Sequence, residues 1–108
     1  MLEKNLAVSK SLLQIIDRSL ASLLLLKSRS ENQEIFKHFL GEIRQLKAQS
    51  DENNVRVVFD TAQELERLLL SIESARLSLS VEVFFSVHRS LDTMKDYLNS
   101  FSSYEQSD

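Results

Sequence analysis

Two histidines are the only imidazoles in this chain of 108 residues, and a catalytic or metal-binding reading has to begin with them. His38 has Glu34 and Glu42 four residues to either side. On a helix that spacing stacks the three side chains on one face, so it offers a weak zinc-type ligand pattern, but the same pattern is common on solvated helix surfaces. His88 lies beside Phe84 and Leu91, where a hydrogen-bonded histidine at the edge of an apolar stripe is the simpler expectation. There is no cysteine, which removes a thiolate nucleophile, a thiolate metal site and a disulfide framework. The serines include no G-x-S-x-G elbow, and no glycine loop is present to cradle phosphate. Catalysis, a metal and a cofactor are therefore not expected.

The elements that would position any such site are helices. Average usage would give about eight Gly and five Pro in a chain this long; this one has one Gly and no Pro, which argues against a sheet protein rich in tight turns. With 43% hydrophobic and 27% charged residues the composition suits one modest core. Thirteen Lys plus Arg against sixteen Asp plus Glu, a net charge of −3, give no electrostatic case for nucleic acid. The longest apolar run, Leu23 to Leu26, falls far short of the roughly 20 residues of a membrane span. No secretory pattern opens the sequence, so the expected location is cytoplasmic.

Four segments carry helical periodicity, at about 2–27, 31–49, 54–75 and 80–100, with residues 101–108 expected to fray as a polar tail. In the first, Leu6, Leu13, Ile16, Leu20 and Leu23 form an apolar stripe. Ser30 with Gln33 has the form of a capping box opening the second, where Phe36, Phe39, Ile43 and Leu46 point inward and Ile35 and Leu40 widen the face. The cluster Ser50-Asp51-Glu52-Asn53-Asn54 supplies N-cap candidates for the third, which carries Val58, Ala62, Leu65, Leu69 and Ile72. The fourth repeats the pattern with Phe84, Val87, Leu91, Met94 and Leu98, capped by Ser78 or Ser80. Short connections make neighbours antiparallel, so the expected fold is all-α, an up-and-down antiparallel four-helix bundle forming a single domain over 1–108.

The outer flank of the second and third helices is more distinctive than the histidines. At 100° per residue, Lys37, Gly41, Arg44, Ala48 and Asp51 share a stripe turned away from Phe36 and Ile43. The sole glycine sits in it, at a cost of about 1 kcal/mol to the helix relative to alanine, and with Ala48 it makes the face flat enough for another backbone to approach. Phe59, Gln63, Glu66 and Leu70 form the facing stripe on the third helix, where the two apolar residues either widen the core or border a docking surface.

This arrangement resembles the histidine phosphotransfer (HPt) domain, particularly the version at the N-terminus of chemotaxis-type histidine kinases. In that family the second helix carries a phosphoacceptor histidine in an H-x-x-K-G pattern. Phe39-Leu40-Gly41-Glu42-Ile43-Arg44-Gln45-Leu46-Lys47-Ala48 aligns with it without a gap. Leu65-Glu66-Arg67-Leu68-Leu69 keeps the spacing to the family's next feature, Leu77 to Val83 resembles the following turn and helix start, and Leu91 to Leu98 continues that helix, so the likeness covers most of the chain.

The departure is at the acceptor, where Arg44 stands in place of histidine. A guanidinium stays protonated and has no free lone pair with which to attack an aspartyl phosphate or a nucleotide γ-phosphate. The resemblance matches Ala48 to the family glycine, Lys47 to the lysine that helps hold phosphate, and Glu66 to the glutamate that hydrogen-bonds the histidine. It implies that Arg44 and Glu66 face each other as an ion pair. His38 is turned ~120° away around the helix, and His88 is on another helix, so neither inherits the site. The expectation is a non-catalytic HPt-like binding module that contacts a response-regulator receiver domain or a histidine kinase through Lys37, Gly41, Arg44, Lys47, Ala48, Phe59, Gln63 and Glu66. The rival expectation is a structural or oligomerisation bundle, or a small helical chaperone, that buries Phe59, Leu70 and Phe85 in a self-interface; a homodimer is compatible with either.

Overall fold

The computed structural model describes residues 2–28, 33–74 and 79–106, and among them every regular element is helical: α1 (Leu2–Ser28), α2 (Gln33–Glu52), α3 (Arg56–Glu73) and α4 (Val81–Gln106). These form a four-helix bundle of 47 × 23 × 20 Å. Cross-helix pairs set the directions. Ser11 meets Gln49 while Ser22 meets Glu42, so α2 runs back along α1; Arg56 meets Asp51 while Glu66 meets Arg44, so α3 reverses again. Packed in a ring, α1 lies between α2 and α4, α3 leans chiefly on α2, and the α3–α4 seam is the lightest. The diagonal pairs α1/α3 and α2/α4 make no close backbone approach among the described residues.

The core joins all four helices. Phe39, Ile43 and Leu46 of α2, Val58, Ala62, Leu65 and Leu69 of α3, and Phe84, Val87, Leu91, Met94 and Leu98 of α4 are buried, as their spacing predicts. Leu40 is buried too, whereas Phe36, Ile35 and Ile72 are half-buried packing around the core. In α1 the stripe is displaced. Leu12, Ile15, Ile16, Leu23 and Leu26 are buried together with Ser9, Ser19 and Ser22, while Leu13 and Leu20 lie at the flank. Positions 9, 12, 16, 19, 23 and 26 repeat at alternating threes and fours, and the serines among them disguise the seam in an apolar count. Ser19 satisfies its hydroxyl by donating to the carbonyl of Ile15 at 2.8 Å.

The α2–α3 connection differs from the sequence expectation. The Ser50 to Asn54 cluster closes α2 instead of capping α3. Asn54 adopts φ 58°, the left-handed conformation that asparagine tolerates better than most side chains. Its N–H donates to Asp51 O at 3.2 Å, and the N–H of Val55 to Ser50 O at 2.8 Å, the two reversed bonds of a Schellman end. Asn53 adds its side-chain amide to Gln49 O at 2.8 Å. The N-cap residue of α3 is then Val55, with no side-chain cap. So α2 extends to Glu52 and α3 begins at Arg56, not near 54.

At α4, Ser80 is the cap: the N–H of Val83 donates to its Oγ at 3.2 Å. The other candidate, Ser78, and the Ser30 half of the proposed capping box lie outside the described residues. The helix continues to Gln106, beyond the end expected near residue 100. No Gly or Pro follows Leu98 to stop it, and Phe101 falls three residues on, at helical spacing.

No helix of the described residues is long and apolar enough to cross a membrane.

Candidate functional site

Neighbouring antiparallel helices bring the α2 and α3 flanks side by side, and one carboxylate organises the space between them. Arg44 donates from Nε to Glu66 Oε2 at 2.9 Å, and Lys47 from Nζ to Glu66 Oε1 at 2.8 Å. Both oxygens of Glu66 are thus held, each by a charge-assisted bond. The glutamate side chain is only 16% exposed, beneath an arginine that is 52% exposed and a lysine at 30%. The ammonium of Lys47, then the guanidinium of Arg44, hold the Glu66 carboxyl below its ordinary value, outweighing the opposing effect of burial.

The other sequence-selected residues surround this clasp. Lys37, Gly41 and Ala48 are exposed on α2, and Gln63 is half-buried on α3. Lys37 makes no ion pair among the described residues. A Cβ built on Gly41 would meet nothing within 4 Å, so no neighbour in the fold requires a glycine there. Phe59 is half-buried, with the Arg56 guanidinium 4.9 Å from its ring centroid. Arg56 also reaches Asp51 Oδ1 at 3.7 Å, linking the end of α2 to the start of α3. Leu70 remains exposed beyond Glu66. The face therefore gathers Lys37, Arg44, Lys47 and Arg56 around the carboxylates of Glu66 and Asp51, in a chain whose net charge is −3.

Chemically the clasp is a pair of charge-assisted bonds closed on one carboxylate. Arg44 has no lone pair to offer, and both Glu66 oxygens already accept strong bonds. Among the described residues no group of three or more His, Asp or Glu is placed to hold a metal ion. His38 projects into solvent with Nε2 3.7 Å from Glu42 Oε1. His88 stacks on Phe84 with ring centroids 6.3 Å apart and holds Asp92 Oδ2 at 3.2 Å through Nδ1, the boundary position its neighbours suggest.

Glu42 is the residue that sequence reasoning misplaced. As the i+4 neighbour of His38 it reads as a surface carboxylate, yet its side chain is 7% exposed at the α1–α2 interface. Ser22 Oγ donates to its Oε1 at 2.6 Å, and Arg18 Nε approaches Oε2 at 4.0 Å from the outside. The signal was available: Glu42 is three residues after Phe39 and four before Leu46, a core-facing interval.

No family model, curated protein or solved structure matches this chain.

Proposed function

We propose that this bundle is a non-catalytic, HPt-like interaction module that acts in the cytoplasm and binds a receiver domain or a histidine-kinase domain through its α2–α3 face, regulating signalling by occupancy. One observation carries the reading. Beside a carboxylate clasped by Arg44 and Lys47 lies a helix surface kept bare by a glycine for which the fold itself has no steric need. Such a glycine costs the helix about 1 kcal/mol, and a close-approaching partner supplies the reason to retain it. The excess of cations around the clasp suits an acidic patch on that partner. The HPt resemblance supplies the partner class, and the arginine at the acceptor position supplies the loss of transfer.

The test is titration of the isotope-labelled protein with receiver domains and kinase dimerisation domains, followed by amide shifts. Shifts centred on Lys37, Gly41, Arg44, Ala48 and Gln63, lost in Gly41→Trp with helicity unchanged, are expected. Binding that ignores Gly41→Trp removes this face. Incubation with an autophosphorylating kinase or a phosphorylated receiver should leave no acid-labile label; label on His38 would replace the proposal with a working phosphotransfer protein.

A further inference from the structure

The outer surface of α4 carries apolar residues that the α2–α3 site does not use. Phe85 is 57% exposed and Val81 69%. Phe84 packs against Phe85 edge to face at 5.8 Å, which steadies the exposed ring from within. Leu24 of α1, 57% exposed, belongs to the same region. The Asp17–Lys95 bridge, at 3.0 Å, sets the register of α1 against α4. About two turns up α1 from Asp17 and two turns back along α4 from Lys95 put Leu24 level with His88, one turn from Phe85.

The charges around this patch are arranged for self-recognition. Glu82 and Arg89 are exposed and make no ion pair among the described residues. They are two turns apart on the outward stripe of α4, and Phe85 lies between them. A two-fold contact must be complementary to itself. If two α4 helices lie antiparallel across a two-fold axis beside Phe85, Glu82 of each copy faces Arg89 of the other, so one unpaired anion and one unpaired cation are satisfied twice. The same operation keeps both α1 helices on one side of the contact, which brings Leu24 and Val81 of the two copies beside the central phenylalanine pair.

We propose that this face binds a second copy of the chain, forming an antiparallel α4–α4 homodimer with Phe85 at the axis and reciprocal Glu82–Arg89 pairs at the rim. Its apolar part is three side chains on each copy, Phe85, Val81 and Leu24, so a weak, concentration-dependent dimer is expected.

Sedimentation equilibrium from about 10 μM to 1 mM, spanning the affinities expected of so small a contact, tests this. Wild type is expected to show a monomer–dimer equilibrium, and Phe85→Asp to be monomeric with an unchanged circular dichroism spectrum. Glu82→Arg and Arg89→Glu should each weaken association by about tenfold, since each turns two attractive pairs into two repulsive ones. Mixing those two single variants should restore association, because in the mixed dimer both cross-copy contacts between positions 82 and 89 again join a cation to an anion. A wild type that is monomeric throughout, a dimer indifferent to Phe85→Asp, or a mixture no stronger than its components would each overturn the proposal. The α2–α3 reading stands or falls separately, because none of these substitutions touches that face.

Discussion

Glu66 shows how two side chains can set the behaviour of a third. Its carboxyl is held below its ordinary value by Lys47 and Arg44, so the clasp stabilises the folded state fully above the unfolded carboxyl range, near pH 4.5, and fades as pH falls through the lowered folded-state value. Glu66→Gln should cost about 1 kcal/mol at neutral pH, as befits a partly exposed ion pair, and should flatten the loss of stability below that carboxyl range, read from urea midpoints across a pH series. A variant as acid-sensitive as wild type would place that sensitivity elsewhere. Glu42 tests a different balance. Glu42→Ala strands the Ser22 hydroxyl at a buried interface, and a loss of about 1–3 kcal/mol in denaturant unfolding is expected. Helical spacing puts Arg44 on one flank stripe and Glu66 on the other, and the antiparallel packing of α2 and α3 brings the two together. Lys47 was matched to a phosphate-holding lysine, and its bond to Glu66 emerged only when α2 and α3 were packed. Glu42 was missed because its charge outweighed its spacing.

Along each helix, apolar spacing placed the α2, α3 and α4 seams well because few polar residues interrupt them. It failed in α1, where Ser9, Ser19 and Ser22 occupy inward positions; a small hydroxyl can be satisfied on the preceding turn, as in Ser19, or by a facing side chain, as in Ser22, and leaves no apolar mark. Helix ends were less legible for a similar reason. Asn and Ser both open and close helices, and only the positive φ of Asn54 decides that the α2–α3 cluster is a stop. Gly41 supplies the prediction at this scale. With open space around its Cβ position, Gly41→Ala should stabilise the protein by roughly 0.5–1 kcal/mol, seen as a higher melting temperature. An unchanged or lowered melting temperature would mean that the fold needs the glycine after all.

For the whole molecule, the near absence of Gly and Pro and four periodic segments were enough to anticipate an antiparallel four-helix bundle. The uneven closure, with α3 leaning on α2 and only lightly on α4, is a packing outcome that no single segment encodes. Because α2 and α4 sit on a diagonal, the two proposed surfaces should act independently. Gly41→Trp is expected to leave sedimentation unchanged, and Phe85→Asp to leave the partner's affinity for an isolated bundle unchanged in calorimetry; cross-talk in either direction would show that the core transmits strain between them. The diagonal also has an architectural consequence. Were both proposals to hold, a pair joined back to back along α4 would carry its two α2–α3 faces on opposite poles, out of reach of one another, and would bridge two partner molecules instead of gripping one twice.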